Sequence, residues 1–209
     1  SRPSYSDGEE LEVSVMFSDL RGFTKMTDGR LPFDIVYILN QYFEVMGESI
    51  EENDGYIDKF IGDGIMAIFG IRSGPAIGAR QAIGSAIKMG QRLDELNHRL
   101  ENQLSSPLEI GIALHKGSAI IGQMGYGETK SVTAIGSTVN TAARLEGLCS
   151  DLEKQLVVSS EVVDSAGVEF PDVTPEKVDI RGISEPIEIY AVEVAGALKP
   201  ARRAKQTAA

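Results

Sequence analysis

The chain has 209 residues, 42% of them hydrophobic, with 31 acids against 20 bases and a net charge of −11. Its mean hydropathy is near zero, which excludes a disordered chain and fits a globular domain long enough to bury a core. The acidic balance excludes a nucleic-acid surface, which needs basic patches. No apolar run approaches the ~18 residues of a membrane span, and no signal-peptide pattern opens the chain. The single cysteine, Cys149, excludes an internal disulfide and points to a reducing, cytoplasmic setting. The chain opens on Ser rather than Met, so a processed chain or a piece of a longer protein is expected.

In chain order, "LEVSVMF" (11–17) alternates apolar and polar residues and reads as a strand that delivers Asp19 at its end. Gly22 and the residues after it, in "LRGFT", can expose backbone N–H groups at a helix start, a natural phosphate cradle, although taken alone the stretch reads as an ordinary strand-to-helix turn. A helix is predicted over 32–53. Ile35, Leu39, Tyr42, Met46 and Ile50 share one face, Pro32 sits in the first turn, and Asn53-Asp54-Gly55 supplies the stop. "DKFIGDGIMAIFG" (58–70) then reads as a hairpin with Asp63 at the turn. Taken alone it is an ordinary Asp-Gly turn.

A second helix is predicted over 76–102, with Ala79, Ile83, Ala86, Leu93, Leu96 and Leu100 inward. Close packing explains Gly78, Gly84 and Gly90 within it. Three strands follow, at 108–117, 118–125 and 129–136, then a helix from Ser137. Asn140 and Arg144 lie four apart on one face of that helix. The last third reads as a strand at 155–159, a short helix from Ser160, and paired strands near 173–181 and 186–194. Residues 1–9 are an N-terminal extension, and 195–209 are expected to be a disordered tail. That tail has Lys199, Arg202, Arg203 and Lys205 and no acid; the remaining 16 bases leave residues 1–194 at −15.

The interspersed order predicts an α+β fold with a mixed, largely antiparallel central sheet and flanking helices. "GQMGYG" (122–127) looks like a phosphate loop, but no helix opens after it, so it reads as a hairpin turn. Asp19 and Asp63 stand in matching contexts 44 positions apart. Two such carboxylates can hold divalent cations for phosphoryl transfer, one option among several.

Together, "FSDLRGFT", "DKFIGDGIMAIFG", "GIALHKG" with "GQMG", "TAIGSTVNTAARLE" and "DIRGISEPIEIYAV" resemble the catalytic domain of class III nucleotidyl cyclases, over about residues 10–194. The resemblance implies a ferredoxin-like α/β sandwich and a homodimer with shared active sites. It also implies conversion of ATP to 3′,5′-cyclic AMP and pyrophosphate with two Mg²⁺ or Mn²⁺ ions. It implies metal ligation by Asp19, Asp63 and the Leu20 carbonyl, and phosphate binding by Gly22, Phe23 and Thr24. Lys59 and Thr133 match the purine-reading pair, Asn140 the ribose-orienting residue and Arg144 the residue that stabilises the pentacovalent phosphorus. Arg181 stands where the family usually has a phosphate-binding Lys, a change that keeps the charge and alters the geometry. Lys59 only donates, which suits adenine N1 and favours ATP. A guanylyl cyclase and an inactive nucleotide-sensing module are the alternatives. Family members often carry sensor or membrane regions before this domain, so an N-terminal regulatory or membrane region is expected.

Overall fold

A computed structural model describes residues 8–204. The elements are β1 (Glu9–Arg21), α1 (Phe23–Thr27), α2 (Pro32–Glu51), β2 (Tyr56–Ile61), β3 (Gly64–Phe69), α3 (Pro75–Arg99), β4 (Glu109–Met124), β5 (Ser131–Ile135), α4 (Ser137–Asp151), β6 (Leu156–Ser159), α5 (Ser160–Ala166), β7 (Val168–Glu169), β8 (Glu176–Val178), β9 (Ile187–Val192) and β10 (Ala201–Arg202). The main sheet runs β2-β3-β1-β4-β6-β9-β8, with β5 also on β4. Every pairing in it is antiparallel except β4 with β6. The order β4-β1-β3-β2, with α2 and α3 as connections, is the ferredoxin-like arrangement expected from the sequence.

Alternation along β1 divides the core between the two faces of the sheet. Met16 and Leu20 join the larger cluster with Tyr42 and Met46 of α2 and Met89 and Leu93 of α3. Val13 and Val15 face the other way, with Met66, Ile121, Ala134 and Ala142. Asp19 shares their parity and therefore lies on the α4 side of the sheet. The inward residues predicted for α3 are all buried. Its glycines permit close approach: a Cβ on Gly78 would lie 2.4 Å from the Gly70 Cα, and one on Gly90 2.5 Å from the Gly196 nitrogen.

Two expectations are corrected. The segments 108–117 and 118–125 form one strand, β4, with no turn at Gly117-Ser118. Gly117 is there for proximity, since a Cβ on it would come within 2.5 Å of Thr138 Oγ1 at the start of α4. The tail expected to be disordered is folded as far as it is described. Ala195 is buried, β10 pairs with β7, and Arg203 bonds Asp164 at 2.7 Å. The small residues that suggested disorder are what let this segment lie against Gly90. Residues 1–7 and 205–209 lie outside the described residues. Among the described residues, no helix is long and apolar enough to cross a membrane.

Candidate active site

The β1–β3 register pairs Ser18 with Ile65, which carries Asp19 to the level of Gly64, next to Asp63. β1 continues two residues beyond Asp19, so the carboxylate leaves a strand rather than its end. Gly62, with φ +60, makes the turn that brings Asp63 round. Leu20 is buried behind the pair. A third acid, which the sequence did not single out, completes this corner: Glu146, on α4, has its carboxyl near Asp19. Burial, the Asp19 contact and the Asp63 charge push the Glu146 carboxyl up to about 8, against a partial offset from Arg21. Burial, reinforced by Asp19, also holds the Asp63 carboxyl above its usual range. Tyr42 lies beneath, its hydroxyl raised by burial and by the same three acids.

Burial and neighbouring acids thus disfavour the charged forms of Asp63 and Glu146 in this corner. Among the described residues, no three His, Cys, Asp or Glu side chains are arranged to hold a metal by themselves. Two carboxylates and the Leu20 carbonyl offer hard oxygens, the donor set Mg²⁺ or Mn²⁺ takes when phosphate oxygens and water supply the rest. The residues present fit such ions. Beside them Gly22, at φ +64, opens α1, whose first-turn N–H groups have no acceptor within the helix. Phe23 packs on the core and Thr24 is exposed.

Lys59 lies midway along β2, opposite Met66, and Thr133 lies on β5. The β4–β5 hairpin folds back so that β5 lies beside β2, where the Tyr56 hydroxyl donates to the Val132 carbonyl at 2.8 Å. Asp58 joins the two: its Oδ2 accepts from Thr133 Oγ1 at 2.6 Å, and its Oδ1 lies 3.7 Å from Lys59 Nζ. One hairpin thus feeds two separate corners, with Lys59 and Asp63 turned to different neighbours.

Asn140 and Arg144 are exposed on α4. The Arg144 guanidinium donates to the Arg181 carbonyl at 2.7 Å. Arg144, Asp179, Arg181 and Gly182 line an open cleft of about 480 Å³. Glu146 lies only two residues beyond Arg144, roughly 200° round the helix. Arg144 and the acidic corner therefore occupy opposite sides of α4 within one chain. Cys149 is a buried small side chain whose thiol burial pushes up to about 12.

The model of the adenylate and guanylate cyclase catalytic domain matches residues 6–194. This chain belongs to that family. An adenylate cyclase of Anabaena cylindrica is 32% identical over 191 residues, covering 87% of this chain and 36% of that protein. A terminal-differentiation-specific adenylate cyclase of Dictyostelium discoideum is 34% identical over 183 residues, covering 86% and 8% respectively. The chain thus spans about a third or less of the curated relatives it matches. The adenylyl cyclase CyaB from P. aeruginosa superposes with a TM-score of 0.79 at 26% identity, covering 94% of this chain and 98% of that one. The guanylyl cyclase Cya2 does so equally, at 27% identity and 96% of each chain.

Proposed function

We propose that the domain is a homodimeric adenylyl cyclase converting ATP to 3′,5′-cyclic AMP and pyrophosphate. The observation that carries this reading is the split of the site residues across α4. Asp19 and Asp63 lie on one side and Arg144 with Arg181 on the other, so a complete site needs two chains. Exposed apolar side chains, among them Phe33, Phe60, Ile61 and Tyr126, supply surface for such a pairing.

Two Mg²⁺ or Mn²⁺ ions held by Asp19, Asp63 and the Leu20 carbonyl would neutralise the triphosphate and acidify the ribose 3′-hydroxyl. The first-turn amides after Gly22 bind the β- and γ-phosphates. From the partner chain, Asn140 orients the ribose and Lys59 with Thr133 holds the adenine edge. The 3′-oxygen then attacks the α-phosphorus in line, the bond to the β-phosphate oxygen breaks, and pyrophosphate leaves. Arg144 exchanges the Arg181 carbonyl for the oxygens gaining charge at phosphorus, a contact stronger in the transition state than before it. Arg181 places its own charge near the triphosphate.

Lys59 favours ATP over GTP, because an ammonium can meet the adenine N1 acceptor but not the guanine N1–H. The test is to incubate the purified chain with ATP or GTP and Mn²⁺ and identify the products. Cyclic AMP as the main product supports the reading. Cyclic GMP as the main product makes the domain a guanylyl cyclase, and no cyclic nucleotide makes it a binding module.

A further inference from the structure

The Asp58 side chain has no solvent exposure, yet it lies on an edge strand. β2 bulges there, the register stepping from Ile57 opposite Ala67 to Lys59 opposite Met66, so Asp58 has no partner on β3. A bulge of this kind re-aims a side chain, here toward β5. Besides Thr133, the Ala134 N–H donates to Asp58 Oδ2 at 3.3 Å. Oδ1 accepts no hydrogen bond and faces the Lys59 ammonium.

This geometry settles the polarity of Thr133. A hydroxyl has one proton and two lone pairs. The Ala134 N–H and the Lys59 ammonium only donate, so Asp58 acts as an acceptor on both sides and takes the Thr133 proton. Toward a ligand Thr133 then presents lone pairs alone. Adenine offers a donor at its exocyclic amine and an acceptor at N1, whereas guanine offers an acceptor at O6 and a donor at N1. A lone-pair-only Thr133 beside a tethered Lys59 matches adenine at both positions and guanine at neither.

We infer that Asp58 is a positioning residue for purine selection: it holds Thr133 as an acceptor and Lys59 as a donor, without itself touching the base. This rests on the reading that Lys59 and Thr133 contact the purine. The alternative is that Asp58 merely ties β2 to β5. The two differ in one quantity, the ratio of ATP to GTP preference measured on the same preparation, which a loss of folded protein does not move.

The experiment compares Asp58→Asn, Thr133→Val and the double variant with the unmodified chain. It measures kcat and KM for ATP and GTP with Mn²⁺, and the binding of 3′-deoxy-ATP and 3′-deoxy-GTP, which lack the attacking hydroxyl. Asp58→Asn should narrow the ATP preference about tenfold, the scale of one hydrogen bond, mainly through KM and 3′-deoxynucleotide binding. The double variant should narrow it no further than Thr133→Val, because both changes act at one contact. An Asp58→Asn chain that loses ATP and GTP turnover by the same factor would leave Asp58 a strand tie and overturn the inference while the purine pair stands. If Thr133→Val leaves the preference unchanged, the purine pair falls and the inference with it. Should Asp58→Asn prove too unstable to purify, Asp58→Ala, which releases the Thr133 proton without adding a polar group, is subject to the same criterion.

Discussion

Asp58 and Asp63 stand five residues apart on one hairpin and meet opposite surroundings. Asp58 is covered and faces donors: a hydroxyl, a backbone N–H and an ammonium. Asp63 is partly covered and faces other acids, Asp19 beside it and Glu146 beyond. A buried carboxylate with two donors on one oxygen and an ammonium 3.7 Å from the other has its charge offset within the fold. Carboxylates that burial and neighbouring acids hold above their usual range gain from a nearby cation. The fold offsets the charge of the first corner and leaves the second strained, the corner to which the proposed function assigns ions and phosphate.

The largest effect should come from breaking the acidic corner. Asp63→Asn should lower cyclic AMP formation at saturating Mn²⁺ by about a hundredfold or more, while far-UV circular dichroism stays unchanged, since a turn accepts Asn readily. Near-normal activity would make Asp63 a turn residue. The next test sharpens the split across α4. Asp19→Ala and Arg144→Ala chains should each be nearly inactive alone. When mixed, about half the dimers pair the two variants and have one whole site, so roughly a quarter of normal activity should return by that symmetry count. No recovery, with chain exchange demonstrated, would put the entire site within one chain.

Stability separates the corners on a smaller scale. Asp58→Ala strands the Thr133 hydroxyl and the Ala134 N–H, and should cost about 2–3 kcal/mol in urea unfolding. The acidic corner is read by a pH slope. The folded chain holds the Glu146 proton up to about pH 8, against an ordinary value of 4.5. That contribution to stability is therefore complete below about pH 4.5 and is lost as pH rises toward about 8, at no more than about 1.4 kcal/mol per pH unit. The Asp63 shift acts in the same direction. Metal-free Glu146→Gln should flatten this slope in thermal unfolding across pH 5–8. An unchanged slope would place its origin elsewhere.

The sequence alone was enough for the hydrophobic periods, the α3 core face, the β2–β3 hairpin and the family motifs, because each depends on residues close in the chain. Spacing also placed Asn140 and Arg144 on one exposed helix face. What it could not supply was partnership across the sheet. Glu146 lies inside a quoted motif, but only the packing of α4 over β1 makes it a neighbour of Asp19. Asp58 precedes Lys59 directly, yet its inward direction depends on a bulge and on β5 folding back to β2. The sequence put a strand boundary after Gly117, and the approach of Thr138 that makes this glycine necessary lies 21 residues downstream. Local pattern records what a segment can form. Charge, burial and hydrogen-bond polarity at a site depend on which distant atoms arrive there, and the tertiary structure alone decided that.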